Sequence, residues 1–411
     1  MALAAFRGWS TTAKHTVTAS FLAWAMDAYD FFLMVFVYRD IAAQFGTSIT
    51  KITIATMLTL AFRPLGAFIF GRLADRFGRR PVLMVDIALY SVLNFAIAFT
   101  INLETFYLAC ACFGIAMGGV WGIGASLSME TIPNNARGFV SGLLQSGYPA
   151  GYLVASLVYG FLYASIGWRG MFMVGVIPAF ILVLYIFLKV PESQHFSRER
   201  ARSKESSTFY VLRHHAKLAL FAIVLMTGFN FYSHGTQDLY PTFLQAQHHF
   251  GPATVKNIAV IYNIGAIIGG LFFGSISQSL GRRRTVMLVT LLSLPVVYFW
   301  AYAATPVGLA LGAFLIQICV QGAWGVVPAY LNELSPAGAR GTFAGTCYQL
   351  GNLIAAVNLP LQSFIATDLT TGNYSIALAI VAACAAVLIC IMMKFGPEAH
   401  NVAMGREPVG E

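Results

Sequence analysis

Charged residues are scarce in this chain. Only 10% of its 411 residues are Asp, Glu, Lys or Arg, whereas 58% are hydrophobic, and the mean hydropathy is +0.72. A soluble globular domain carries about 25% charged residues. The composition therefore excludes an ordinary soluble enzyme and is typical of a polytopic membrane protein.

Acidic residues and cysteines are also few. The 16 Asp and Glu are outnumbered by 25 Lys and Arg, which gives a net charge of +9. The basic residues fall between apolar spans, where they set orientation, so we expect no nucleic-acid partner. The six cysteines lie in apolar segments without metal-ligand spacing, and we expect no disulfide, metal or cofactor.

Long apolar runs take the place of the missing charge. Twelve of them reach the ~20 residues that a spanning helix needs, which predicts an all-α membrane protein. The first run carries Asp27 and Asp30 near its centre, unlike a cleavable signal, so it is expected to stay in the mature chain. The predicted spans are 16–38, 50–72, 82–101, 104–129, 138–162, 170–190, 217–241, 255–279, 285–303, 305–331, 341–366 and 373–395.

The basic residues predict the orientation of these spans. An even number of spans places both termini on one side, and that side carries 20 of the 25 Lys and Arg. The opposite side carries Arg39, Lys51, Arg169 and Lys256, while Arg63 lies inside a span. Since basic loops remain in the cytoplasm, we expect cytoplasmic termini in an inner or plasma membrane. The protein is expected to be a monomer in the lipid bilayer.

The two halves of the sequence repeat at a constant offset of 203 residues. The matched pairs are Gly71/Gly274, Gly78/Gly281, Arg79/Arg282, Arg80/Arg283, Trp121/Trp324, Gly122/Gly325, Glu130/Glu333, Pro133/Pro336, Arg137/Arg340 and Gly138/Gly341. This repeat predicts two pseudo-symmetric six-helix bundles in the same topology. The predicted divisions are a first bundle at 1–190, a cytoplasmic linker at 191–216, a second bundle at 217–395 and a cytoplasmic tail at 396–411.

A loop rich in Gly and Arg occupies residues 71–80, with a degenerate copy at 274–283. It resembles the signature loop of the major facilitator superfamily, which implies that family's fold of twelve transmembrane helices. Gly78 and Gly281 permit tight turns. Asp75 either accepts charge-assisted hydrogen bonds across the interface as a latch or belongs to a plain orienting loop. Gln278 replaces it in the second copy, where a weaker latch is expected.

Charged residues at helix ends predict a conformational gate. We pair Glu130 with Arg137 and Glu333 with Arg340; transport of protons by the glutamates is the alternative. Asp86 is expected to be an interfacial partner of the basic loop. The predicted gate residues are Asp75, Arg79, Glu130, Arg137, Glu333 and Arg340.

Three ionisable residues lie inside the first two predicted spans. Asp27 and Asp30 are ~60° apart around the helix, so both cannot stay ionised at low cost in the membrane, as a proton-coupling site requires. Arg63 lies nine residues before Arg72, ~13 Å into the membrane. Its guanidinium suits either a substrate carboxylate or a structural ion pair with Asp27 or Asp30.

A polar stripe interrupts the seventh predicted span. Asn230, Ser233, His234, Gln237 and Asp238 share one ~140° helix face. His234 and Asp238 are one turn apart and can share a proton, because the charge of imidazole changes near physiological pH. The offset of 203 residues also pairs Asn230 with Asp27. Such a cluster inside a span predicts a functional site.

The stripe, read Asn230-x-x-Ser233-His234-x-Thr236-Gln237-Asp238-x-x-x-Thr242, resembles the signature of lactate and short-chain carboxylate permeases in the sialate:proton symporter family. Residues 24–32 of the first span are similar to that family as well. The resemblance implies substrate binding by Arg63, Gln349 and Asn352. A helix–helix hydrogen bond is the alternative for Gln349 and Asn352. Tyr148 on the fifth span is expected to complete the pocket.

These features together predict a proton-coupled symporter for a small monocarboxylate such as lactate, working by alternating access. An aromatic-acid or sialate proton symporter is the alternative within this class. A membrane-embedded enzyme is disfavoured, since no nucleophile motif or nucleotide loop is present, and a non-transporting receptor is a further alternative. The expected substrate-binding residues are Arg63, Asn230, Gln237, Gln349, Asn352 and Tyr148. The expected proton-coupling residues are Asp27, Asp30, His234 and Asp238.

Overall fold

The computed structural model describes residues 9–47, 49–193, 214–336 and 340–399, which contain helices and no strand. Most of the predicted linker and tail lies outside these ranges. The helices before the linker are α1 (Thr11–Gln44), α2 (Ile49–Phe77), α3 (Arg79–Ile97), α4 (Leu103–Met117), α5 (Val120–Thr131), α6 (Arg137–Gln145), α7 (Gly147–Val174) and α8 (Val176–Lys189).

The helices after the linker follow a similar order. They are α9 (Ala216–Gln237), α10 (Tyr240–Ala246), α11 (Pro252–Leu280), α12 (Arg282–Tyr302), α13 (Pro306–Trp324), α14 (Val327–Leu334), α15 (Arg340–Ala355), α16 (Asn358–Phe364) and α17 (Tyr374–Phe395). Each predicted apolar run falls on one or two of these helices. The fold is therefore the all-α membrane fold that the sequence predicts.

Nine stretches of the described residues have the length and composition of a membrane span. The predicted runs 16–38, 138–162 and 341–366 are helical but are not among the nine. These three carry Asp27, Gln145 and Gln349, each 4% exposed or less. Polar side chains of this kind are tolerated in a membrane when they face the bundle interior.

Apolar side chains cover the outside of the bundle. Phe161, Ile101 and Val307 are among many large hydrophobic residues that are mostly exposed, whereas the buried set includes several Asp, Asn and Gln. This arrangement is the reverse of a soluble protein, and it fits a surface solvated by lipid chains.

Glycines make the two tight turns that the signature loop predicts. Gly78 precedes α3 with φ 112°, and Gly281 precedes α12 with φ 93°. Only glycine adopts such backbone angles without steric strain. The two copies of the repeated loop therefore have the same turn geometry.

The halves of the chain meet through helices of the bundle interior. Helix α2 packs against α15, and α6 packs against α11. A Cβ atom added at Gly142 would lie 2.2 Å from the Gly270 carbonyl oxygen, and one added at Gly274 would lie 2.7 Å from the Gly142 Cα. These glycines therefore allow close packing of α6 against α11.

We expect Gly142→Ala to lower the melting temperature of the detergent-purified protein, because its methyl group would collide with the α11 backbone at a cost of roughly 1–3 kcal/mol. Gly251→Ala is the matched control, since an added Cβ at Gly251 meets nothing within 4 Å. Equal melting temperatures for the two variants would contradict a close contact between α6 and α11.

Candidate functional site

A buried ion pair connects α1 and α2. Arg63 Nη2 lies 3.3 Å from Asp27 Oδ2, and the two side chains are only 3% and 0% exposed. The guanidinium also donates to Met117 Sδ at 3.4 Å and lies 5.2 Å from the centre of the Phe31 ring. Arg63 Nε and Asp27 Oδ1 have no hydrogen-bond partner among the described residues. The pair is thus charged, desolvated and incompletely satisfied.

Asp30 is directed to a different neighbour. Its Oδ1 accepts a hydrogen bond of 2.8 Å from Asn94 Nδ2 on α3, and its side chain is 1% exposed. A Cβ added at Gly175 would lie 2.7 Å from the same oxygen. Of the two aspartates one turn apart, Asp27 therefore holds Arg63, and Asp30 packs against α3 and the start of α8.

His234 and Asp238 are in contact near the end of α9. The His234 Nδ1 atom lies 3.1 Å from Asp238 Oδ2, as their helical spacing predicts. Their side chains are 14% and 32% exposed, which makes this pair more accessible than Asp27 and Arg63. Asn352 on α15 is close enough to His234 to interact with it.

Residues from both halves of the chain surround one central region. The charges of Arg63 and Asp27 from the first half and of Asp238 from the second all act on Tyr148. The charge of Arg63 also acts on His234. The structure therefore brings together the predicted residues on α1, α2, α7, α9 and α15.

Gln349 and Asn352 form an amide pair on α15. Asn352 Nδ2 donates to Gln349 Oε1 at 3.3 Å. Gln349 Nε2 and Asn352 Oδ1 have no hydrogen-bond partner within the described ranges, although both residues are buried. Because buried polar atoms are normally satisfied, the free Gln349 Nε2 donor fits a polar ligand, whereas Asn352 also faces His234.

The side-chain amides of two other predicted binding residues donate hydrogen bonds within their own half of the chain. Asn230 Nδ2 donates to the Met226 carbonyl oxygen of its own helix at 2.9 Å. Gln237 Nε2 donates to Gln317 Oε1 at 2.8 Å, and Gln317 Nε2 donates in turn to Thr236 Oγ1. Sequence reasoning missed Gln317, because nothing in the periodicity of α13 indicates which helix it faces.

An aromatic layer lies beside the central region. We give this name to Trp24, Tyr148, Trp121, Trp324 and Tyr348. The Tyr348 ring centre lies 4.6 Å from that of Trp121 and 5.7 Å from that of Trp324, and Trp24 stacks on Tyr148 at 5.6 Å. The layer joins rings of both halves, and the repeat pair Trp121 and Trp324 lies on either side of Tyr348.

We call the end of the bundle that contains the Gly78 and Gly281 turns the arginine-rich end. There, side chains of each half bind helix ends of the other half. Asp75 accepts a hydrogen bond of 3.0 Å from the Thr342 backbone N–H and another from the Thr342 hydroxyl. In the second half, Gln278 Oε1 accepts a hydrogen bond of 3.1 Å from the Gly138 N–H. Both acceptors meet unpaired N–H groups in the first turn of a helix, where a negative charge is stabilised.

Each gate glutamate is bound by an arginine at the start of another helix, and the predicted pair of Glu333 with Arg340 stays a prediction. Glu130 is bound by Arg79 at 3.2 Å, and Glu333 is bound by Arg282 at 2.9 Å, again at equivalent repeat positions. Arg137 reaches across the interface to within 3.9 Å of Glu333. Periodicity along one segment could not show that α3 and α12 supply these partners. The Arg340 side chain lies outside the described residues.

Two further carboxylates were missed by sequence reasoning. Glu192 accepts hydrogen bonds from the backbone N–H groups of Arg79 and Arg80 at 3.0 and 3.2 Å, at the start of α3. Glu398 accepts one from the Arg283 N–H at 3.4 Å, at the start of α12. The signal available in the sequence is the Pro-Glu pair that follows the last span of each half.

The expectation that Asp86 contacts the basic loop is wrong. Its side chain is 0% exposed, and neither carboxyl oxygen has a hydrogen-bond partner in the part of the chain that the structure describes. Asp86 instead lies against the break between α4 and α5, where a Cβ added at Gly119 would be 2.4 Å from Asp86 Oδ2. The short distance of Asp86 from Gly78 along α3 gave no indication of this orientation.

The site has no set of groups for metal chemistry within the described ranges, where no three His, Cys, Asp or Glu residues are placed to hold an ion. It combines a desolvated cation, carboxyl groups, an imidazole and free amide atoms between two bundles of spanning helices. These features are typical of a membrane transporter with a central polar site.

The chain belongs to the Major Facilitator Superfamily, whose model matches residues 18–251 and 235–407. A carboxylic acid transporter protein homolog of Saccharomyces cerevisiae is 30% identical over 375 residues, 84% of this chain; the chain spans only 60% of that protein. The sialic acid transporter NanX of Escherichia coli is 25% identical over 357 residues, 85% of this chain and 87% of the relative. A cis,cis-muconate transport protein of Acinetobacter baylyi is 29% identical over 395 residues, 93% of each chain.

Solved structures support the same fold. The proton:xylose symporter XylE bound to 6-bromo-6-deoxy-D-glucose has a TM-score of 0.79 and 17% identity, over 96% of this chain and 98% of that one. The human organic anion transporter MFSD10 has a TM-score of 0.68 and 16% identity, over 93% of this chain and 99% of that one. At this identity, the likeness concerns the fold alone.

We expect Asp75→Ala to weaken closure of the arginine-rich end by roughly 1.5–3 kcal/mol, because a charged acceptor is lost at the start of α15. Gln278→Ala, at the equivalent repeat position, removes a neutral acceptor and is expected to cost about 0.5–1.5 kcal/mol. The measurement is thiol labelling of a Ser128→Cys reporter in each background, since Ser128 is a fully buried residue of α5 whose hydroxyl has no hydrogen-bond partner among the described residues. Equal labelling in both variants and in the parent would contradict the latch.

Proposed function

We propose that this protein is a proton-coupled symporter for a small monocarboxylate such as lactate. The observation that carries the proposal is the buried Arg63–Asp27 pair, which lies next to polar groups of the other half. Arg63 is already bound by one carboxylate, so a substrate carboxylate can replace Asp27 without any change in the guanidinium geometry. The substrate carboxylate would thus take the place of the Asp27 carboxylate on Arg63.

The exchange requires a proton. When a substrate carboxylate takes Arg63, Asp27 is left as an unpaired charge with 0% exposure, which is costly in a low-dielectric interior. Protonation of Asp27 removes that charge. One anion and one proton then enter together, and the transport step is electroneutral.

His234 and Asp238 are proposed to deliver the proton. The two groups share a contact of 3.1 Å and are more exposed than Asp27, so they can exchange protons with water on the more open side. Gln349 and Asn352 are proposed to orient the substrate with their side-chain amides, while Tyr148, Asn230 and Gln237 contribute to its pocket. Asp30, which accepts a hydrogen bond from Asn94, is proposed to take part in proton coupling beside Asp27.

The relatives support a carboxylate as substrate. The names of three of them refer to carboxylic acids, sialic acid and cis,cis-muconate, all of which carry carboxyl groups. Membership of the sialate:proton symporter family is part of the proposal and rests on the stripe from Asn230 to Thr242. Within the described residues, the central site has one guanidinium, that of Arg63, which favours a monocarboxylate over a dicarboxylate.

Transport is proposed to proceed by rocking of the bundles 1–190 and 217–395 about the central site. The arginine-rich end is assigned to the cytoplasm because of its basic residues, with both termini on that side of an inner or plasma membrane. The contacts of Asp75, Gln278 and Arg137 across the interface then close the cytoplasmic side. The protein is proposed to act as a monomer.

An aromatic-acid or sialate proton symporter is the second candidate. The aromatic layer favours it, because Trp24 and Tyr148 offer stacked ring faces close to Arg63. Competition of labelled lactate uptake by benzoate, sialate, pyruvate and succinate separates the candidates. Stronger competition by benzoate or sialate than by pyruvate would favour this second function.

Labelled L-lactate is expected to accumulate in proteoliposomes when the lumen is made alkaline. One proton per anion allows about tenfold accumulation per pH unit. Arg63→Lys and Arg63→Ala are expected to raise the KM strongly, because the bidentate fork is lost. Arg169→Lys is the matched control, because Arg169 donates to backbone carbonyl oxygens at the end of the bundle opposite the arginine-rich end. Uptake that ignored the pH gradient would contradict proton coupling.

His234→Ala is expected to keep lactate counterflow and to lose accumulation driven by the pH gradient. Exchange needs no net proton movement, whereas accumulation does. His248→Ala, in a histidine that packs on Phe243 outside the site, is the matched control. A His234→Ala protein that accumulates lactate as the parent does would exclude the proposed role.

A further inference from the structure

Asp86 is a fully buried carboxyl group that the proposed cycle does not use. It lies on α3 at 0% exposure, and both its oxygens lack a hydrogen-bond partner among the described residues. Its carboxyl group packs directly against Gly119, where an added Cβ atom would lie 2.4 Å from Asp86 Oδ2. A carboxyl group held in this way has a function other than a surface ion pair.

The charges around Asp86 do not stabilise an anion in this conformation. The charged group that acts on it is Asp27 on α1, and Tyr90 is the titratable residue one turn away on its own helix, which begins at Arg79 and Arg80. The nearby cation, Arg63 on α2, is held by Asp27, and Glu130 on α5 is held by Arg79. Burial without a counter-charge favours the neutral acid. Asp86 therefore holds a proton while the arginine-rich end is closed.

The structure also offers a place for the anion in a different conformation. Gly119 is the residue before the first turn of α5, a helix of 12 residues with no side-chain cap. The first N–H groups of a helix stabilise a negative charge, and access of water would further lower the cost of the charge by hydrating it. Opening of the arginine-rich end would admit that water, because α5 and α6 are among the helices that close it.

We propose that Asp86 is a further proton-carrying residue of the transport cycle, placed between Asp27 and the arginine-rich end. When this end opens, the O–H bond of Asp86 breaks and its proton leaves to water. A proton from Asp27 then forms a new O–H bond on Asp86, and the Asp27 carboxylate returns to Arg63. One proton enters at Asp27 and one leaves from Asp86 in each cycle. This inference rests on the proposed proton coupling.

Asp86→Asn tests the proposal because the amide mimics the neutral acid but carries no exchangeable carboxyl proton. Lactate counterflow is expected to stay within about twofold of the parent, while a gradient of one pH unit no longer gives the roughly tenfold accumulation. Ser91→Ala is the matched control. It removes a buried hydroxyl group of α3 that also lacks a hydrogen-bond partner in the described ranges. Accumulation by Asp86→Asn equal to that of the parent would overturn the proposal.

An infrared measurement separates this inference from the proposed function. The C=O band of protonated carboxyl groups is expected to be weaker at neutral pH in Asp86→Asn than in the parent protein. An unchanged band would overturn the proposal even if lactate uptake is proton-coupled. If the band differs between the two proteins but the parent shows no pH-driven lactate uptake, the proposed function fails. Asp86 is then a protonated residue without a role in proton-coupled transport, and the proposal is overturned with it. Asp86→Ala replaces Asp86→Asn in both measurements if the amide prevents folding.

Discussion

The Arg63–Asp27 ion pair is the constraint on which the rest of the site depends. Taking both charges out of water costs several kcal/mol per ion, and their attraction offsets this cost only when the geometry and the remaining hydrogen bonds are good. Here Arg63 Nε and Asp27 Oδ1 stay without partners among the described residues, so the pair is well suited to exchange. In the proposed cycle, a substrate anion binds Arg63 while a proton binds Asp27, which couples the two fluxes without any contact between anion and proton.

The repeat explains how one site can be opened from two sides. Asp75 and Gln278, Arg79 and Arg282, and Glu130 and Glu333 make equivalent contacts at the arginine-rich end. The Asp75 and Gln278 hydrogen bonds to helix N-termini cross between the halves, whereas each of these ion pairs lies within one half. The central region breaks the symmetry, because Asp27 and Arg63 in the first half correspond to Asn230 and Ala266 in the second. In the proposed cycle, closure is shared by the halves, whereas the substrate charge is bound by the first.

Periodicity and the repeat predicted the helices, the turns at Gly78 and Gly281 and the contact of His234 with Asp238, because these features are local or repeat at a fixed offset. The sequence left the partner of Arg63 open between Asp27 and Asp30, and the structure selects Asp27. Contacts between distant helices could not be predicted. Thr342 opposite Asp75, Gln317 opposite Gln237 and the burial of Asp86 all depend on how helices pack side by side, which no spacing within one segment encodes.

The central claim is that a substrate carboxylate replaces Asp27 on Arg63 and that Asp27 then takes up a proton. The direct test is calorimetric titration of the detergent-purified protein with lactate in buffers of different ionisation enthalpy, which counts the protons bound with each substrate. The account predicts uptake of about one proton per lactate in the parent protein and none in Asp27→Asn. Binding of lactate by the parent protein with no proton uptake would contradict it.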